Sequence, residues 1–330
     1  MTISKTPFRI SFFGGGTDYP AWYRENGGQV LSATIDKYCY LTVRHLPPFF
    51  PHKHRIVYSK VEAVNDINEI MHPVARAALE FFKINKGLEI HYDGDLPARA
   101  GMGSSSSFTV GLLHSLHALN ETVPSREQLA KEAIYLERDV LKENVGVQDQ
   151  VAVAHGGFNK IIFGRNDEIK VEPISVKEDR IKELDSHLLL YFTGFSRYAS
   201  EIAKEQIERI PERKKELSLM HKMVDEAIDI LKDDKRDIVE FGKLLSQSWQ
   251  LKKGLTNKIS NPAIDNIYQK ALNAGAIGGK LLGAGGGGFI LLFVSPEKQP
   301  QVREALKGFL EVPFRFEKGG SQIIYKNHEV

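Results

Sequence analysis

Apolar and polar positions recur along this chain in a pattern that predicts strands and helices in mixed order. Residues 6–13 alternate in part and are rich in β-formers. Residues 29–35 and 38–44 read as two strands turning at Asp36 and Lys37. A Pro-rich stretch at 47–51 breaks the pattern, a helix follows at 73–82 and a short strand at 88–92. The segment 104–119 is predicted helical, with Phe108, Leu112, Leu116 and Leu119 on one face. Ser125 and Gln128 form a capping-box pattern for the next helix, whose apolar positions run through Leu129, Ala133, Ile134, Leu136, Val140 and Leu141.

The second half reads differently. A compact strand at 188–192 precedes a long charged helical stretch, 198–233, broken at Pro211. Residues 238–251 are amphipathic, with Phe241, Leu244, Leu245, Ser248 and Trp249 on the buried side. A helix at 263–274, a buried strand at 289–294 and a helix at 301–310 precede C-terminal strands. No internal repeat or long linker is present, and the shift from strand-rich to helix-rich places a domain boundary near 185, giving 1–185 and 186–330.

Composition changes this picture little. With 330 residues, 42% hydrophobic and 26% charged, the chain is an ordinary globular sequence. A formal net charge of +2 excludes a global cationic field of the nucleic-acid-binding kind. The single cysteine, Cys39, forms neither an internal disulfide nor a multi-cysteine metal site and reads as a core residue. No stretch approaches the ~18 apolar residues of a membrane span. The N-terminus has no signal-peptide pattern, so a cytoplasmic location is expected.

The candidate chemistry lies in three glycine-rich segments: Phe13 through Gly14, Gly15, Gly16, Thr17 and Asp18 to Tyr19; Leu96 to Ser107; and Gly278 to Gly288. In the second, Gly101, Met102 and Gly103 precede Ser104, Ser105 and Ser106 at the start of a helix. Unpaired amides and the helix dipole there suit a phosphate, and serine hydroxyls add donors or Mg²⁺ ligands; a serine-capped helix is the plainer alternative. There is no G-x-x-x-x-G-K-[ST], and the G-x-G-x-x-G at Gly283 to Gly288 runs into a strand, so the dinucleotide-binding context fails.

Three acidic residues and one arginine stand out. Glu137 falls at helical spacing from Ala130, Ala133, Ile134 and Leu141, hence on an apolar face, where a carboxylate needs an Arg or Lys partner or a metal. Asp149, just past a helix end, is either a loop residue or a group that orients or deprotonates a hydroxyl. Asp18, with Thr17, is either a helix cap before Pro20 or a ligand. Arg9, in a buried strand, requires a carboxylate or phosphate partner. His52 and His54 lack a third metal ligand nearby.

Taken in order, these segments resemble the three motifs of the GHMP small-molecule kinases. The phosphate-loop segment is similar to P-x-x-x-G-L-G-S-S with Met102 for leucine, and Gly146 to Gln150 to G-x-M-D-Q with Gln148 for methionine. The resemblance implies an α+β fold: an N-terminal ribosomal-protein-like α/β domain and a C-terminal ferredoxin-like domain. It implies ATP phosphates on Gly101 to Ser106, and Mg²⁺ on Ser105 (or Ser104) and Glu137. It implies Asp149 and Arg9 as catalytic residues, sugar hydroxyls on Asp18, and Gly285 to Gly287 bracing the phosphate loop and substrate pocket. Galactokinases carry Glu-His where this chain has Gly15 and Gly16, which widens the pocket. The runs 7–20, 30–37 and 191–197 are similar to bacterial heptose 7-phosphate kinases, which phosphorylate an anomeric hydroxyl and serve nucleotide-activated heptose and surface polysaccharide. Thr17, Gly15, Gly16, Gly285 and Gly286 are expected at the substrate, and Arg197 at its phosphate. The expected partners are a sugar phosphate and ATP, with neither nucleic acid nor membrane, and with a homodimer allowed. A kinase for fucose, galactose or glucuronate, a non-catalytic sensor and an RNA-binding module remain as alternatives.

Overall fold

The structure, a computed structural model, describes residues 1–195 and 199–327. In the first half β1 (Thr2–Phe13), α1 (Pro20–Asn26), β2 (Gly28–His45), β3 (His54–Val57), β4 (Val61–Val64), α2 (Pro73–Phe81) and β5 (Leu88–Gly94) lead to the central helix α3 (Ser104–Leu119). Helices α4 (Arg126–Ile134) and α5 (Gln148–His155), strands β6 (Phe158–Phe163) and β7 (Ile169–Pro173) and helix α6 (Glu178–Ser186) follow. The second half has β8 (Leu188–Phe192), α7 (Ala199–Glu208), α8 (Lys214–Lys232), α9 (Val239–Lys253), α10 (Pro262–Asn273), β9 (Gly278–Leu281), β10 (Phe289–Phe293), α11 (Gln299–Ala305) and β11 (Leu310–Glu311). The short strands β12 (Phe316–Glu317) and β13 (Gln322–Lys326) close the chain.

Among the described residues nine strands form one sheet, with β13-β1-β2-β5-β3-β4 as its spine, β6 and β12 paired with β2, and β7 paired with β6. The two strands expected at 29–35 and 38–44 are one. β2 pairs with β1 from Leu31 to Val43, and Asp36 and Lys37 sit in a bulge between the pairs Pro7↔Tyr38 and Phe8↔Ile35. A bulge inserts extra residues without reversing the strand, and Pro7 has no N–H to offer the ladder.

Helix α3 packs on β1 and β2 and against α4 and α5. It is buried nearly all round, with Val110 and Leu113 covered as well as Phe108, Leu112 and Leu116, so the single-faced expectation understates it. The helix opened by Ser125, whose hydroxyl accepts from Gln128 N, ends at Ile134 and continues as a π-helical turn, Tyr135–Val140. Helix α5 was not expected.

Strands β8, β9, β10 and β11 form a second, antiparallel sheet in the order β11-β8-β10-β9. With α7 to α10 between β8 and β9 and α11 between β10 and β11, this is the β-α-β-β-α-β ferredoxin-like arrangement. The division at 185 needs correction at the C-terminus. β12 pairs with β2 and β13 with β1, so the last strands return to the first sheet. Helix α8 also packs across β1 and β2, joining the two halves.

Candidate active site

β1 delivers Arg9 into the interior, where it is 3% exposed. Its amide donates to Met102 O at 3.0 Å, fixing the glycine-serine loop to the strand. Its Nη1 donates to Gly101 O at 2.7 Å, while Nε and Nη2 fork onto Asp149 Oδ1 and Oδ2 at 2.8 and 2.6 Å. A planar guanidinium with two parallel bonds orients the carboxylate as a lysine could not. Asp149 lies in the first turn of α5 rather than in a loop, and its side chain is 26% exposed. Thus the sequence-expected partner of Arg9 is a carboxylate 140 positions away.

The loop ends at Gly103, a left-handed residue that starts α3 with no side-chain cap, leaving the first-turn amides open. The serines divide the work. Ser104 Oγ accepts from Arg99 N, and Ser107 Oγ donates to Pro7 O. Ser106 Oγ donates to Glu137 Oε2 at 3.1 Å, whereas Ser105 is exposed. The serine brought to Glu137 is therefore Ser106 and not Ser105, because it lies on the inward side of the first helical turn.

Glu137 is buried in the π-helical turn. Thr109 Oγ1 donates to its Oε1 at 2.6 Å and Gln150 Nε2 to its Oε2. No Arg or Lys pairs with it among the described residues. Burial raises its carboxyl to about 7, against the opposing hydrogen bonds of Thr109, Gln150 and Ser106. A π-helical turn re-aims a side chain, and such turns are frequent at functional sites.

Asp18 does not cap α1, whose N-cap, Tyr19, makes no side-chain bond. Its Oδ1 accepts from Gly16 N at 2.9 Å, and a Cβ on Gly146 would lie 1.8 Å from its Oδ2, so the α5 approach passes directly over the carboxyl. Burial raises the Asp18 pKa, and the charge of Asp149 adds to the rise. Gln148, beside both, accepts from Ser11 Oγ at 2.6 Å. Thr17 turns away from this space, because its hydroxyl donates to Gly14 O and Gln29 O. Gly15 leaves open room, its nearest neighbours being Gln148 Nε2 and Ser11 Oγ, and Gly16 faces Leu217.

The third glycine segment does brace the loop, through other residues than expected. A Cβ on Gly283 would lie 2.4 Å from Gly101 Cα, one on Gly288 2.2 Å from Ala100 O, and Phe289 N donates to Ala100 O. Gly285 and Gly286 instead meet Ile259, where Gly286 N donates to Ile259 O. Arg197 lies outside the described residues.

The sequence reading missed two buried lysines. Lys280 Nζ donates to Ser11 O and Phe12 O at 2.9 and 2.8 Å, tying β9 to β1, and burial drives its pKa well down. Lys252 Nζ donates to Leu281 O at 3.3 Å and to Gly283 O. Each falls on the covered side of its element, the same signal that marked Glu137. A cavity of about 1080 Å³ between α4, β6, β7 and α6 is lined by none of these residues.

The GHMP kinases N terminal domain matches residues 68–157 and the GHMP kinases C terminal domain residues 226–312. This chain belongs to the GHMP kinases. It is similar to the D-glycero-alpha-D-manno-heptose 7-phosphate kinase of Campylobacter jejuni, at 30% identity over 96% of this chain and 97% of that one. It is also similar to a galactokinase of Pyrococcus furiosus, at 26% over 92% and 91%. Among solved structures, a D-glycero-D-manno-heptose 1-phosphate kinase from Bacteroides thetaiotaomicron superposes with a TM-score of 0.78, at 26% identity and 100% coverage of both chains. The protein is thus an α+β kinase with the N- and C-terminal units of that family. No helix among the described residues is long and apolar enough to cross a membrane.

The contact between two glycine backbones gives a direct prediction. Gly283 has φ +72°, so an alanine there is strained as well as crowded against Gly101. Gly283→Ala is expected to raise KM for ATP at least about tenfold and to cost roughly 1–3 kcal/mol of stability. ATP titration and thermal melting check this, and a wild-type KM would show that the loop does not need the brace.

Proposed function

We propose that this kinase is an ATP- and Mg²⁺-dependent sugar kinase that phosphorylates the anomeric C1 hydroxyl of D-glycero-D-manno-heptose 7-phosphate, giving the 1,7-bisphosphate. The observation that carries the reading is the Arg9 fork. One side chain joins the phosphate-loop carbonyl of Gly101 to the carboxylate of Asp149. The similarity to a heptose 7-phosphate kinase supports the acceptor, and the side-chain-free Gly15 leaves room for a bulky sugar. The product suits nucleotide-activated heptose synthesis for surface polysaccharide, in the cytoplasm.

The residues present fit both expected ligands. The uncapped amides of Ser104, Ser105 and Ser106 suit phosphate oxygens. Glu137 is a buried carboxylate with hydroxyl neighbours and no cation, a hard oxygen donor set suited to Mg²⁺. No group of three His, Cys, Asp or Glu side chains gathers among the described residues, which fits a Mg²⁺ that takes most of its oxygens from phosphate and water. Glu137, with Ser106 or Ser105, would hold it, and bound there it would neutralise phosphate charge.

In the transfer itself, the sugar oxygen bonds to the γ-phosphorus as the bond to the β,γ-bridging oxygen breaks, and ADP leaves with that electron pair. Asp149, held by Arg9, takes the hydroxyl proton on the carboxylate lone pairs left free by the fork. The α3 amides receive charge developing on the phosphoryl oxygens, and Asp18 orients the sugar hydroxyls.

ADP release from Mg·ATP against heptose 7-phosphate, heptose, fucose, galactose and mevalonate tests the reading. Turnover of heptose 7-phosphate alone is expected. Turnover of an unphosphorylated sugar alone would discard the 7-phosphate acceptor, and silence across the panel would discard the reading. Within it, Arg197→Met is expected to raise KM for the sugar phosphate by at least about tenfold, far more than KM for ATP. An unchanged KM removes Arg197 from the acceptor site.

A further inference from the structure

The catalytic fork leaves a charge problem. All three Arg9 nitrogens are engaged, and its charge is met by Asp149. Lys280 is bound to the backbone carbonyls of Ser11 and Phe12 on β1, so its donors are turned to that strand, and burial lowers its pKa. A further buried cation among the described residues is Lys252, at the end of α9 and 6% exposed. Its Nζ donates to Leu281 O and Gly283 O, and Gly283 is the residue pressed on Gly101. Arg9 and Lys252 therefore both hold the same glycine–glycine contact, one through Gly101 O and the other through Gly283 O.

No carboxylate hydrogen-bonds to Lys252 among the described residues, although an ammonium has three donors and only two carbonyls accept here. A buried cation without a bonded counter-ion is costly unless an anion joins it. The charged groups facing it are Arg9 from β1, Asp18 from the loop after β1, Asp149 from α5 and Lys280 from β9. These are the groups of the candidate active site.

We infer that Lys252 is a further catalytic residue, whose protonated ammonium donates its third N–H to the phosphoryl group in transfer and supplies the positive charge that Arg9 has committed to Asp149. The inference rests on the kinase reading and not on which sugar is the acceptor. The ammonium moves no proton, so its role is electrostatic stabilisation of charge on the phosphoryl oxygens. Burial and the charge of Arg9 lower Lys252 to about 8, with Asp18 and Asp149 opposing. The ammonium is then mostly protonated at neutral pH and is lost as pH rises past that value.

Lys252→Met separates this role from packing. With the sugar that the wild-type enzyme turns over, kcat is expected to fall about 10²-fold. The melting temperature should hold or rise, because a buried charge has been replaced by an apolar chain of similar length. The wild-type rate should decline above pH 8, and the residual rate of the variant should lack that decline. A variant with kcat within about threefold of wild type, or with the same alkaline decline, or with activity lost only in step with melting temperature, overturns the inference. In that case wild-type turnover stands, and so does the kinase reading. A wild-type enzyme silent with every sugar overturns the reading, and the role of Lys252 with it.

Discussion

Asp149→Asn is expected to lower kcat about 10³-fold while leaving KM for ATP within about threefold. The substitution preserves shape but replaces one carboxylate oxygen with an NH₂ donor. Arg9 offers donors to both positions, so one of its two bonds is lost and the amide cannot accept the hydroxyl proton. The buried guanidinium also loses its counter-charge. A fully buried pair broken in this way costs about 3–5 kcal/mol. Asp149 is a quarter exposed, so water recovers part of that and a loss of roughly 1–3 kcal/mol is expected. Arg9→Met attacks the same unit from the other side and also releases Gly101 O. The double variant should therefore be little worse than the worse single one, the signature of residues acting together. Single-turnover kinetics separate the chemical step from product release. An anomeric hydroxyl is more acidic than an ordinary alcohol. Should Asp149→Asn keep kcat within tenfold, Asp149 would be an orienting group and the proton would leave by another route.

Much of this site was legible in local sequence, and the part that was not is non-local. A carboxylate on an apolar helical face drew attention to Glu137, and a charged residue in a buried strand to Arg9. The sequence could require a partner for Arg9 but could not choose Asp149, because 140 residues and the packing of α5 on β1 lie between them. The π-helical turn at Tyr135–Val140 escapes periodicity analysis, since one extra residue per turn is invisible in a short window. It is what turns Glu137 toward α3 and so toward Ser106. The ferredoxin-like order of the second sheet follows the predicted element sequence except at β9, which lies in the glycine-rich segment where no strand was expected. The return of β12 and β13 to the first sheet does not, because strands of two and five residues carry no signal of which edge they will join. Lys252 was readable by the rule that found Glu137. It follows Phe241, Leu245, Ser248 and Trp249 along the buried side of α9, and a lysine ending such a stripe asks the same question as a glutamate within one.

Glu137 should make the metal-free protein less stable as pH rises, the reverse of an ordinary salt-bridged carboxylate. Its folded-state value, about 7, lies above the 4.5 of a free glutamate. Below 4.5 the carboxyl is protonated in both states and imposes no cost. Between 4.5 and about 7 the unfolded chain ionises first and binds fewer protons than the fold, so stability falls with rising pH. Above about 7 the loss is complete, on the order of 3 kcal/mol. A Mg²⁺·nucleotide complex needs the ionised form and reverses the trend, so its stabilisation should be larger at pH 8 than at pH 5.5. Glu137→Gln removes the titration while its side-chain carbonyl can still accept from Thr109 or Ser106. The variant without ligand should melt a few degrees above the wild type at pH 8 and match it at pH 4.5. It should also lose about 10²-fold in kcat and the pH dependence of stabilisation by Mg·ATP. A residue with a purely structural role would lose stability when replaced. Gain of stability at high pH combined with loss of turnover requires that the fold keeps a costly buried carboxylate for a cation it must bind. Melting curves across pH with and without Mg·ATP read both halves of that statement, and a Glu137→Gln variant with wild-type turnover would take Glu137 out of the proposed metal site.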